Sequence, residues 1–184
     1  MVTTGWLELL LRHLRRDPTV GLLTPVTNFA GNEIKIGTDY RNQEEMETFA
    51  AHVTRTHCGE SFDVEVAPLF CAITPKQVWE RVGPLDETFE IGMFEDDDLS
   101  MRVRAAGFRV VAARDCFIHH FGQGSFSQLP NVECQRIFDQ NRRAFEIKWG
   151  MTWRPHRPAD GVRPAHEDER LDPAAFLKSK RPAQ

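Results

Sequence analysis

Leu7, Leu10, Leu11 and Leu14 recur at i, i+3, i+4 and i+7, the spacing of one apolar helical face, after Thr4 as a cap and before Asp17-Pro18. A helix is therefore expected to open the chain. The continuous apolar run at 20–26, VGLLTPV, predicts a buried strand that ends at its proline. Residues 27–41 carry Gly31 and Gly37 as breakers and read as loop, and 43–56 read as a second helix. The stretch 62–74 alternates well enough for a strand, with Pro68 interrupting it as at an edge or bulge. Lys76 to Val82 predict a short helix between Pro75 and Gly83. Leu99, Val103 and Ala106 share a helical face that Gly107 would stop. FRVVAARDCFIHHFG supplies one or two further strands, and NVECQRIFDQNRRAFEIKWG a closing helix. Strands separated by helices indicate an α/β domain, a mixed sheet flanked by helices, over 1–150. From Met151 to Gln184 the chain turns to Pro, Arg, His and Asp without apolar period, which predicts a loosely ordered tail.

Composition narrows the partners. The 184 residues are 41% hydrophobic and 27% charged, with a formal net charge of −4 and scattered basic residues, so no nucleic-acid surface is expected. Cys58, Cys71, Cys116 and Cys134 make no Cys-x-x-Cys pair, which argues against a zinc ribbon or redox motif and fits a reducing cytoplasm. The apolar run near the start is too short and too charged for a signal peptide or membrane span.

The chemistry concentrates in Glu95, Asp96, Asp97 and Asp98, four consecutive carboxylates at an expected helix start. Capping alone accounts for one or two of them, because acids in a first helical turn gain about 0.3–1 kcal/mol each from the helix dipole. Four cannot all reach the orphan amides, and the surplus repel one another. Such surplus charge suits a cation, a bound polyol or a base whose pKa is held high. The run lacks the Asp-x-Asp-x-Asp-Gly spacing of a calcium loop.

The flanking residues extend the pattern. GPLDETFEIGMFEDDDLSMRVRAAGFRVV followed by FIHHFGQGSF closely resembles the C-terminal half of family 2 glycosyltransferases of the GT-A fold. The resemblance is carried by Gly83, Asp86, Glu87, Phe89, Phe94, Glu95, Asp96, Asp98, Leu99, Arg102, Gly107 and Phe108. Upstream, TTGWLELLLRHLRRDPTVGLLTPVTN is similar to the helix and strand that follow the metal-binding Asp-x-Asp of those enzymes. The resemblance implies a partial GT-A (Rossmann-like) domain whose chain starts after the nucleotide-binding half, hence an N-terminally truncated enzyme with an exposed sheet edge, prone to poor stability or self-association.

An inverting transfer from a nucleotide-diphosphate sugar needs a base to take the acceptor hydroxyl's proton. Carried over from the family, that base is Asp96, with Glu95 orienting it or the acceptor and Asp98 fixing the loop at the substrate. His119 first, and His120 second, would complete a Mn²⁺ or Mg²⁺ site at the diphosphate; on a strand the two point opposite ways. Gly122 and Ser125, with Gly124, would turn over the diphosphate, and Asn28 would lie near sugar or acceptor. Each has a plainer reading: a satisfied strand-end histidine, an ordinary turn, a turn-forming asparagine. Arg142, Arg143 and Lys148 could meet phosphates, although a basic helix face is commonly just solvated. Trp79 and Trp149 read as core or cap aromatics, and His57-Cys58 has no metal spacing. The implied acceptor is a saccharide or lipid-linked glycan, in cell-surface polysaccharide or glycoconjugate synthesis, at the inner face of the membrane. The alternative is a catalytically inactive remnant that binds saccharide or assists a partner enzyme.

Overall fold

The structure, a computed structural model, describes residues 1–90, 92–122 and 130–156. Ser125, Gly124 and residues 157–184 of the expected tail lie outside the described residues. Among those described, five helices surround a three-stranded mixed sheet: α1 (Trp6–Arg16), β1 (Val20–Val26), α2 (Gln43–Thr56), β2 (Ser61–Asp63), α3 (Lys76–Val82), α4 (Glu95–Ala105), β3 (Arg109–Phe117) and α5 (Asn131–Trp149). β3 is central, parallel to β1 on one side and antiparallel to β2 on the other. All seven residues of β1 are buried, as a continuous apolar run demands of a strand covered on both faces. No described helix is long and apolar enough to cross a membrane.

α1 forms where its leucine period places it, but on a different face. Leu10 and His13 are buried, Trp6, Leu9 and Leu14 pack beside them, and Leu7 is exposed. The helix is turned by His13, whose Nε2 lies 2.6 Å from Asp115 Oδ1 inside β3. Arg12 and the Gly59 amide, each at 2.7 Å, donate to the other oxygen of this fully buried carboxylate. The expected Thr4 cap is absent: Gly5, in the left-handed region at φ 76°, stands at the cap position, and the Thr4 amide instead donates to Glu47.

The strand expected over 62–74 is short. The Val64 N–H still donates to the Val110 carbonyl at 3.0 Å, and beyond it side chains take over the backbone polar groups: Arg104 donates to the Glu65 carbonyl, Asn32 to that of Val66, and Ala67 N–H donates to Ser100 Oγ. Farther along, Ile73 exchanges two 2.9 Å backbone hydrogen bonds with Leu23, and Thr74 donates to the Gly21 carbonyl. Residues 71–74 therefore cover part of the outer edge of β1.

Gly21 is where β1 tolerates α4. The β1–β3 register shifts between Val20 and Leu22, and a Cβ at Gly21 would lie 2.5 Å from Phe108 Cβ and 2.8 Å from Val103 Cγ1. Gly21→Ala is expected to cost about 1–3 kcal/mol through overpacking, since Val103 is held in α4 and Phe108 leads directly into β3. An unchanged urea midpoint in this variant would contradict the packing described.

Candidate functional site

The loop into α4 is held in an uncommon conformation. Gly92, Met93 and Phe94 all have positive φ, at 76°, 67° and 76°. For Met93 and Phe94 this is a sterically costly region, on the order of 1 kcal/mol or more each, kept only where surroundings over-determine it. Asn141, fully buried on α5, provides that constraint. Its amide donates to the carbonyls of Glu90, Gly92 and Met93 and accepts from the Glu90 amide. Phe94 is locked beneath by Phe138, Phe145 and Trp153.

This scaffold gives the four carboxylates different partners. Asp98 is fully buried and neutralised: Arg102 Nε donates at 2.8 Å, Trp149 Nε1 at 3.0 Å, and Lys148 Nζ lies 2.7 Å away. Arg102 also donates to the carbonyls of Val82 and Gly83, tying α4 to the end of α3. Lys148 reaches Asp86 as well, at 2.6 Å, and holds that carboxyl well below the usual range. Asp97 accepts from Trp153 Nε1 at 3.0 Å and pairs with His156 Nε2 at 2.9 Å. Glu95 and Asp96 make no ion pair among the described residues, and Glu95 Oε2 is buried with no hydrogen-bond partner there.

Electrostatics follow from that division. Burial, with Asp97 and Glu95 as like-charged neighbours, pushes the Asp96 carboxyl up to about 7, against only the amides of Asp96 and Asp97 in the other direction. Burial raises Glu95 too. His156 is held above its ordinary value chiefly by its bond to Asp97. Asp96 nevertheless keeps partial access to solvent. A half-buried carboxyl poised near neutrality is what a proton acceptor for a hydroxyl requires.

A stability signature follows. Between an ordinary carboxylate value of 3.8 and about 7, the folded protein holds a proton at Asp96 that the unfolded chain has released. This group's contribution is thus full below the lower value and is lost as pH rises toward the upper one. His119, lowered by burial to about 4, acts in the opposite sense over part of that window, so the difference between variants isolates Asp96. Relative to Asp96→Asn, the wild-type protein is expected to lose up to about 1.4 kcal/mol per pH unit as pH rises through the window. Urea unfolding of both proteins across this range checks it; parallel curves would contradict the raised value.

No family model matches the chain, and no curated protein matches it.

The two histidines lie just past the end of β3, not on a strand, and point into different surroundings. His119 is buried, with Nδ1 2.5 Å from the Tyr40 hydroxyl and its ring edge-on to Phe121. His120 stacks on Phe70 at 4.8 Å and places Nδ1 3.0 Å from the Phe29 carbonyl. That contact makes Nδ1 the donor and leaves Nε2 with a lone pair, the tautomer of a metal ligand. Yet no three His, Cys, Asp or Glu side chains converge as a metal site among the described residues. His119 and His120 among the described residues do not by themselves make a donor set for a Mn²⁺ or Mg²⁺ ion.

Asn28 splices β1 to the end of β3: it accepts from the His120 amide at 2.8 Å and donates to the His120 carbonyl at 3.1 Å. Gly122, at φ 73°, lies against Phe29, whose ring a Cβ would meet at 3.1 Å. A cleft of about 1000 Å³ opens elsewhere, lined by His13, Arg16, Lys35, Glu60 and Arg114 among others, and includes none of the expected site residues.

Sequence reasoning missed Asn141, Trp153 and His156. The first six residues of the expected loose tail instead begin by packing on the acidic cluster, because Trp153 and His156 both find Asp97 there, and Trp153 N–H donates to Glu146. Two aromatic residues three apart, Trp153 and His156 with only Arg154 and Pro155 between them, were the available signal.

Proposed function

We propose that the protein belongs to an inverting glycosyltransferase of the GT-A type, in which Asp96 is the general base. The single observation that supports this reading is that Asp96, alone of the three aspartates in the cluster, is half-buried, poised near neutrality and outside any ion pair of the described residues. The resemblance of the surrounding segment to family 2 glycosyltransferases supplies the reaction class.

In that reaction the acceptor hydroxyl gives its proton to an Asp96 carboxylate oxygen as its own oxygen attacks the anomeric carbon. The bond from that carbon to the donor's diphosphate breaks, the electron pair leaves with the nucleoside diphosphate, and configuration inverts. Glu95, adjacent and raised in the same way, is suited to orient the acceptor through its unbonded oxygen. Asp98 acts at a distance from substrate, fixing α4 through Arg102, Lys148 and Trp149. The acceptor in this reading is a saccharide or lipid-linked glycan.

The test is incubation of the natural protein with nucleotide-diphosphate sugars and saccharide acceptors. The expected result is nucleoside diphosphate released in step with an inverted glycoside. Acceptor binding with no transfer from any donor would contradict it and favour a saccharide-binding module.

A further inference from the structure

From the chain that follows α5, we infer that His156 is a positioning residue for Asp96: by pairing with Asp97 it withdraws that carboxylate from substrate and leaves Asp96 as the cluster's proton acceptor. The inference rests on the proposed role of Asp96 and adds to it a residue outside the segments that resemble family 2 glycosyltransferases.

Three observations carry it. His156 Nε2 and Trp153 Nε1 reach the same oxygen, Asp97 Oδ1, at 2.9 and 3.0 Å, so the imidazole and indole clamp it from one segment. Asp97 is 7% exposed, whereas Asp96 remains half-buried. The Asp97 amide in turn donates to Asp96 Oδ1 at 3.0 Å, so the position of Asp97 is transmitted directly to Asp96. The segment is itself fixed. Trp153 N–H donates to Glu146 on α5, its ring meets Phe94 and Phe138 edge-on at 5.1 and 5.5 Å, and His156 packs edge-on against it at 5.8 Å.

The charges facing His156 are Asp97 and Asp96 on α4 and Glu65 after β2, all acidic; Arg104, also on α4, lies in the field of Asp97 and Glu65. A protonated imidazole here therefore offsets the negative field acting on Asp96. Without it, Asp97 would repel charge on Asp96 undiminished, and Asp96 would hold its proton to higher pH.

Two variants separate this role from a structural one. His156→Gln keeps size and hydrogen bonding without charge; His156→Lys keeps charge. In the first, the Asp96 carboxyl resonance followed by NMR is expected to titrate about one pH unit higher than in wild type. The acid limb of kcat/KM should move with it while the high-pH plateau stays within about twofold, and His156→Lys should restore the limb. Rates lowered equally at every pH, or an Asp96 midpoint unmoved by His156→Gln, would overturn the inference. The imidazole signal of His156 gives an arm that needs no turnover: it should fall to an ordinary midpoint in Asp97→Asn, and no response there would overturn the pairing. Transfer surviving Asp96→Asn would remove the base assignment itself and this inference with it, a result distinguishable from an unmoved acid limb in an enzyme that does need Asp96.

Discussion

Replacing Asp96 with asparagine is expected to lower transfer by about 10²–10⁴-fold, the usual contribution of a positioned general base, with the fold intact. The amide is isosteric, cannot accept the acceptor's proton, and relieves repulsion from Glu95 and Asp97. The variant should therefore be as stable as wild type near neutral pH or more so, the pattern of a residue kept for chemistry against stability. Steady-state kinetics and urea unfolding on the same preparation check both halves. Full turnover in Asp96→Asn would remove the assignment, and marked unfolding would make the residue structural.

Asp98→Ala should give the opposite profile. It removes the buried centre of a network joining Arg102, Lys148 and Trp149, leaving one guanidinium and one ammonium near each other with no carboxylate between them. Breaking a buried pair from one side costs about 3–5 kcal/mol. Against a total stability of about 5–15 kcal/mol, that is a large share, and the midpoint of thermal unfolding should fall on the order of 10 °C. The effect reaches beyond α4, because Lys148 also holds Asp86 and Arg102 holds the end of α3. Activity lost in Asp98→Ala should follow the loss of folded protein. A midpoint unchanged from wild type, with transfer abolished, would place Asp98 at the substrate instead.

Much of the scaffold was legible because it is written locally. The run at 20–26, the Pro75 and Gly83 that bracket α3, and the period of Leu99 and Val103 on α4 each act within a few residues, and α2, α3, α4 and α5 form over the segments expected of them. What failed was decided by distant partners. Leu7 lost its place in the core because Asp115, 102 residues from His13, draws that histidine inward. The strand expected over 62–74 stopped at Asp63 because side chains from Asn32, Ser100 and Arg104 took its backbone groups.

The acidic cluster divides the same way. Its presence, and its position at a helix start, are properties of four adjacent residues. Its division of labour is not, since Trp149, Trp153 and His156 arrive from 51 to 59 residues downstream to occupy Asp98 and Asp97. Which carboxylate remains available depends on those arrivals, and no local pattern encodes it.

The most direct measurement is the titration of the Asp96 side-chain carbon by NMR, assigned with Asp96→Asn. The account predicts a midpoint at about 7, well separated from the ordinary carboxylate range. A midpoint near 3.8 would mean that Asp96 is a solvated surface acid like any other, and would contradict its role as the base.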